Sequence, residues 1–366
     1  MNRYWSKRLG EITAYQAGEQ PQDRTYIKLN TNENPYPPSG KVLARLNQVD
    51  TEMLRRYPDP DARLLKQAIA SYYDLEPGMV FTGNGSDEVL GHVFMAFFDQ
   101  SAPVCFPDIT YSFYPIYCAR YGLSYIQIPL TSDFRIDPDT YPDRCGGIIL
   151  ANPNAPTGRF LEPAQIKKLL GRNPDSVIVI DEAYIDFGGA SCIPMIREYP
   201  NLLVVQTLSK SRSLAGLRVG FALGQMGLIC GLEIAKNSFN SYPLGSLAIA
   251  GAIEAINDQD HYLQCTGKVA ETRDWLSGCL LGLGFDVIPS LANFLMIRHA
   301  SVQAEVLYQK LRERGILVRY FNAPRISDYI RVSIGTRADM QEFLRNIGEI
   351  TAAGTSIGTK AVSLPL

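Results

Sequence analysis

The residues best suited to chemistry are Lys210 and Arg218, which share the stretch Leu202–Gly220. Leu202–Val205, apolar and β-branched, reads as a short buried strand. It gives way to Thr207-Leu208-Ser209-Lys210 and then to Ala215-Gly216-Leu217-Arg218-Val219-Gly220. A lysine placed just past a buried strand is costly to desolvate. Desolvation depresses its pKa and makes the free amine a nucleophile able to form an imine. Arg218, eight residues on, carries the planar fork that grips a phosphate through two parallel hydrogen bonds. A surface loop with two ordinary cations is the plain alternative, and the rest of the chain decides between them.

Several other polar segments follow apolar runs. Val177–Ile180 ends at Asp181-Glu182-Ala183-Tyr184. Met79–Thr82 runs into Gly83-Asn84-Gly85-Ser86-Asp87-Glu88 and an apolar helix over Val89–Phe98. A strand-to-helix turn of this kind exposes free amides that bind anions, and Ser86 or Asp87 is placed to cap the helix. It is not a dinucleotide fingerprint, because Glu88 stands where the third glycine of G-x-G-x-x-G belongs. Ala102–Phe106 is followed by Pro107-Asp108-Ile109-Thr110-Tyr111, and Gly147–Ala151 by Asn152-Pro153-Asn154-Ala155-Pro156-Thr157-Gly158.

Apolar strands alternating with helices imply a parallel sheet covered on both faces. Ligands bind at the carboxyl edge of such sheets. The anion turn, Tyr111, the Asn-Pro loop, Asp181, Tyr184, Lys210 and Arg218 are therefore expected to converge on one crevice. The fold class is α/β, with a large domain over residues 45–245 built on a mostly parallel sheet. A smaller α+β domain takes residues 246–366, joined by an N-terminal arm, 1–44. In that smaller unit Arg319 and Arg331 lie at or inside apolar strands, where an arginine needs an anionic partner. The partner is either a substrate carboxylate or phosphate, or an internal acid.

This set suits pyridoxal 5′-phosphate. Lys210 supplies the imine nitrogen, and Asp181 pairs with the pyridine nitrogen and keeps the ring an electron sink. The Gly85, Ser86 and Asp87 amides, Ser209 and Arg218 hold the phosphate. Tyr184 donates to the phenolic oxygen and Tyr111 stacks on the ring.

Composition excludes other classes. The chain has 366 residues, 46 % hydrophobic and 20 % charged, as in a soluble enzyme of about two domains. A net charge of −2 offers no field for nucleic acid. The uncharged stretches are too short or too polar to span a bilayer, and Met1–Gly10 has no signal-peptide core. Seven scattered cysteines and three histidines, none at metal-ligand spacing, point to reduced thiols in a cytoplasm and to no metal site.

The motifs Asn30-Thr31-Asn32-Glu33-Asn34-Pro35-Tyr36, Arg56-Tyr57-Pro58, Asn152–Gly158, Asp181–Tyr184, Thr207–Arg218 and Ala292-Asn293-Phe294 together resemble fold-type I pyridoxal-phosphate aminotransferases. Within them the similarity is greatest to the histidinol-phosphate aminotransferase family, over Tyr15 to about Arg345. The resemblance implies that Lys210 is the Schiff-base lysine, Asp181 the pyridinium partner and Arg218 a phosphate ligand. It implies that Tyr57 reaches the cofactor phosphate of a neighbouring subunit in a homodimer. It makes Arg331 the binder of the substrate's anionic group, helped by Arg319 and Tyr15, and it places Asn34 in the substrate site. One departure stands out. The family commonly has Asn just before Pro-Thr-Gly, and here that position is Ala155. Either Asn154 or Tyr184 alone then holds the phenolic oxygen. The implied reaction moves an amino group between histidinol phosphate and 2-oxoglutarate, with glutamate as the other product. An aromatic-amino-acid aminotransferase and a phosphothreonine decarboxylase are the rival readings. A regulator that binds effectors without catalysis would need a basic helix-turn-helix extension, and none is evident in the sequence.

Overall fold

A computed structural model describes residues 3–49 and 51–358. Two sheets organise them. The larger has seven strands: β2 (Val80–Gly83), β3 (Val104–Pro107), β4 (Tyr125–Ile128), β5 (Gly147–Ala151), β6 (Ile178–Asp181), β7 (Leu202–Thr207) and β8 (Gly220–Gly224). Their spatial order is β2-β8-β7-β6-β5-β3-β4. The strands β5, β6 and β7 are buried at every position. Helices cover both faces, which is why these strands read as continuous apolar runs rather than alternating ones. The helix Arg63–Tyr72, for instance, buries Leu65, Ile69 and Ala70.

The sheet departs from the expected parallel arrangement at one strand. β8 runs antiparallel to both its neighbours, β7 and β2. Its reversal brings its first residue, Gly220, level with Thr207 and Gly83 at the same rim. Arg218 therefore precedes its strand and still falls at the carboxyl edge of the others.

The smaller sheet is antiparallel, in the order β12 (Arg319–Tyr320), β13 (Ile330–Ser333), β10 (Phe294–His299) and β9 (Phe285–Ile288). Arg319 opens a short strand of its own, separated by Val318 from the two residues before it. β11 (Ile316–Leu317) pairs in parallel with β1 (Ile27–Lys28), and this tethers the N-terminal arm to the smaller sheet. Helix Gln259–Gly282 packs on this sheet through Val269, Leu276 and Leu280. The preceding helix, Ser246–Asn257, sends Ala252, Ala255 and Ile256 into the core of the large sheet beside Val42 and Leu65. Among the described residues no helix is long and apolar enough to cross a membrane.

Candidate active site

The segment from Thr207 to Gly220 forms a closed loop at the sheet rim. Leu208 N donates to Val219 O at 3.0 Å across its neck, and Ser209 N donates to Thr207 Oγ1 at 3.1 Å. Lys210 points inward and donates to the Thr31 carbonyl at 3.0 Å. Burial, and after it the nearby Arg331 charge, pushes the Lys210 pKa down to about 8, while Glu33 and Asp87 oppose the shift. At pH 7 most of the amine is still protonated, but the free-base fraction that nucleophilic catalysis needs is far larger than for an exposed lysine. Arg218 has φ of 56°, and its guanidinium reaches Asp87 at 3.2 Å and Ser209 Oγ at 3.4 Å.

The opposite wall of this corner is the helix Gly85–Phe97. It starts earlier than the sequence suggests. Asn84 is the N-cap residue, so Ser86 and Asp87 lie inside the first turn rather than capping it. Asn84 makes no side-chain bond to the first-turn amides, and Ser86 lines the cavity. Gly85 has φ of +80°, and a Cβ there would meet the Arg218 guanidinium at 2.4 Å. A Cβ on Gly220 would lie 2.3 Å from Ser86 N, so both glycines are demanded by close approach.

Asp181 ends β6 on the cavity floor, only 5 % exposed. Tyr114 donates to its Oδ2 at 3.0 Å and Ala183 N to its Oδ1 at 3.2 Å. Burial outweighs these bonds and pushes its pKa up to about 6. Such a buried carboxylate calls for a cationic partner. Tyr111 donates to Asp87 at 2.7 Å, and Tyr184 accepts from Asn32 Nδ2 at 3.0 Å.

The smaller sheet closes the mouth. Arg331 donates to Asn30 O at 3.0 Å, while its buried Nε has no hydrogen-bond partner. Burial lowers its pKa, so an anion there would be strongly favoured. Arg319 donates to Gln16 O at 3.2 Å, and Tyr15 packs on Phe113 at 4.8 Å between ring centroids. Most of these groups surround one cavity of about 600 Å³.

Lys210, Asp181, Tyr184, Ser86, Asp87, Tyr111, Ser209, Arg218, Tyr15, Arg319 and Arg331 thus line one space. Four of the residues singled out from sequence do not. Asn154 is fully buried behind its loop. Both its amide protons are used, on Ile109 O and Thr157 Oγ1, and its Oδ1 accepts from Thr110, so Ala155 and Pro156 face the cavity instead. Asn34 is directed at the back of the lysine loop, donating to Ser211 O at 3.1 Å. Gly85 lies outside the lining, where its missing Cβ leaves room for the Arg218 guanidinium. Tyr57 is 82 % exposed and stacks on Tyr242. Sequence reasoning missed Tyr114, which lies in a helix and carries no loop signal. It also passed over Asn32 and the Thr31 carbonyl, although both sit in a motif noted above.

The fold and this site define an aminotransferase of class I and II. Residues 24–347 match the family model of that description, and the chain belongs to the family. Histidinol-phosphate aminotransferase 1 of Hydrogenovibrio crunogenus is 54 % identical, over 96 % of this chain and 98 % of its own. A histidinol-phosphate aminotransferase of Clostridium botulinum is 51 % identical over 96 % and 99 %. Among solved structures, the histidinol-phosphate aminotransferase of Sinorhizobium meliloti in complex with pyridoxal 5′-phosphate superposes with a TM-score of 0.86 at 23 % identity, covering 96 % of this chain and 99 % of that one. The architecture is accordingly that of the fold-type I transferases.

Proposed function

We propose that this chain is a cytoplasmic, homodimeric transaminase that moves an amino group from histidinol phosphate to 2-oxoglutarate, using pyridoxal 5′-phosphate. The observation that carries the reading is Lys210: a buried amine with a depressed pKa, lining with Asp181 a cavity whose mouth has an arginine with a free Nε. The relatives at more than half identity, all histidinol-phosphate aminotransferases, support the substrate.

The residues present fit the cofactor. The uncapped helix start with Ser86, Ser209 and Arg218 makes a phosphate corner, and Asp181 suits a protonated ring nitrogen. When bound, the cofactor supplies an aldehyde for amine capture and a ring that withdraws electrons from the substrate Cα. Lys210 would take the substrate Cα proton as general base. Asp181 holds the ring nitrogen protonated, with Tyr114 fixing its carboxylate. Tyr184, oriented by Asn32, donates to the phenolic oxygen, and with Asn154 turned away it does so without help from that residue. Arg331 binds the phosphate of one substrate and a carboxylate of the other, with Arg319 and Tyr15 beside it, and Tyr57 completes the partner subunit's phosphate site. The cofactor-binding unit extends to the bend at Asp258, because helix Ser246–Asn257 belongs to the large core.

The test is the visible absorption of the purified protein. A yellow band that bleaches with histidinol phosphate and returns with 2-oxoglutarate supports the reading. Bleaching by phenylalanine or tyrosine alone would move the assignment to aromatic amino acids. Release of carbon dioxide from phosphothreonine would make it a decarboxylase. A protein that takes up no pyridoxal phosphate would overturn the whole proposal.

A further inference from the structure

Among the described residues Lys236 is the most deeply buried cation away from the cavity, at 2 % exposure. It lies near the end of helix Met226–Asn237. Its ammonium donates to Pro60 O at 3.1 Å, meets Glu233 at 2.8 Å and lies 3.9 Å from Asp61. Glu233 is shared with Lys66 at 2.5 Å, so the helix is tied to the chain on the far side of Pro60 as well. A lysine is seldom buried so completely without a task, since its charge must be met by partners at every proton.

What the ammonium holds is the turn that presents Tyr57. Pro58 and Pro60 stiffen that turn, and Asp59 closes it by accepting from Asp61 N and Arg63 N. Ala62 sits in the left-handed region, φ 45°, with its N bonded to Asp59 O. The turn is thus shaped by itself, but its carbonyl at Pro60 is docked on the body by Lys236. Tyr57 at its head projects outward and stacks on Tyr242, six residues past Lys236 in the sequence. One segment therefore holds both ends of the turn.

We infer that Lys236 is a positioning residue: it fixes the Tyr57–Ala62 turn on the large layer and so sets where the Tyr57 hydroxyl projects beyond the chain's own surface. The inference rests on the proposed role of Tyr57 at the partner subunit's phosphate. Its consequence is that two residues outside the cavity lining of their own subunit act as one unit on the neighbouring site.

The test is a double-mutant cycle on the holoenzyme, reading the dissociation constant of pyridoxal phosphate by absorbance. Tyr57→Phe removes one charge-assisted hydrogen bond and should weaken binding about tenfold. Lys236→Met should weaken it by a similar factor, and the double variant should be no weaker than either single one. A purely structural role would give additive losses or none, and either result overturns the inference. In the cofactor-free protein, trypsin should cut after Arg56 several-fold faster in Lys236→Met than in wild type, and an unchanged rate also overturns it. If Lys236→Met does not fold, Glu233→Gln takes its place, with the same direction required. Should Tyr57→Phe bind cofactor as wild type does, the reading of Tyr57 fails, and the trypsin rates still decide whether Lys236 holds the turn.

Discussion

Arg319 and Arg331 are direct cross-strand partners on β12 and β13. Like charges placed opposite one another in a ladder repel, so the pair is arranged for an anion rather than for the fold. Arg331 is the more buried and the one with an unpartnered Nε. Arg331→Gln should cost roughly 1.5–3 kcal/mol of substrate binding, on the order of 10- to 150-fold in kcat/KM, for histidinol phosphate and glutamate alike. Arg319→Gln should cost less and leave the melting temperature of the unliganded protein unchanged or higher. A selective loss for one substrate would show that the anion site is not shared.

Lys210 predicts a pH signature. Its pKa is about 8 in the folded chain and about 10.5 unfolded. A depressed folded value means that the unfolded chain binds more protons between these pH values, so stability rises with pH across that window. Below it the buried cation is a constant cost. Lys210→Met should therefore raise the urea midpoint of the cofactor-free protein at pH 7, and lose the rise between pH 8 and 10.5 relative to wild type. Parallel profiles would contradict the burial of this amine. The same variant should have no measurable transamination.

Asp181 shifts the other way, to about 6 through burial, partly countered by Tyr114 and the Ala183 amide. In the unliganded protein the folded state binds the extra proton between pH 3.8 and 6, and this contribution fades as pH rises through that range. Tyr114→Phe removes the strongest donor and should drive the pKa higher. We expect kcat to fall about tenfold, one hydrogen bond to a charged group, with the acid limb of the rate profile moved upward. Rates scaled equally at every pH would assign Tyr114 to packing alone.

Gly220→Ala tests the phosphate corner from behind. The new Cβ would sit 2.3 Å from Ser86 N and 2.4 Å from Gly85 C, against backbone that cannot swing away. The helix start must shift, and overpacking of this kind costs about 1–3 kcal/mol. Cofactor affinity should fall with stability, while Gly216→Ala, whose Cβ meets nothing within 4 Å, should change neither. Isothermal titration with pyridoxal phosphate measures the affinity, and the urea midpoint of the cofactor-free protein the stability.

Much of this site was legible because strand ends concentrate function. Lys210, Asp181 and Ser86 each follow a run that reads as a buried strand, and the sheet rule places them on one edge. Three features were hidden for physical reasons. The reversal of β8 leaves no mark, since Gly220–Gly224 is as apolar as a parallel strand would be. The inward turn of Asn154 depends on which backbone carbonyl its amide meets, which spacing does not reveal. Tyr114 supports Asp181 from 67 residues away, on a helix whose pattern looks like ordinary core. Arg319 and Arg331 were picked out as arginines in apolar strands, but their pairing needed the register.

The antiparallel course of β8 has a mechanical meaning. Had the chain crossed over through a helix, the amine of Lys210 and the guanidinium of Arg218 would hang from separate supports. Instead they are two teeth of a single jaw, hinged at the Leu208–Val219 contact. Leu214 N on Leu208 O and Thr207 Oγ1 on Val219 O close the same loop, so only an opening that breaks all three bonds would free both at once. Escape of the cofactor should then be all-or-none, with the grip on its two ends lost together in one local opening.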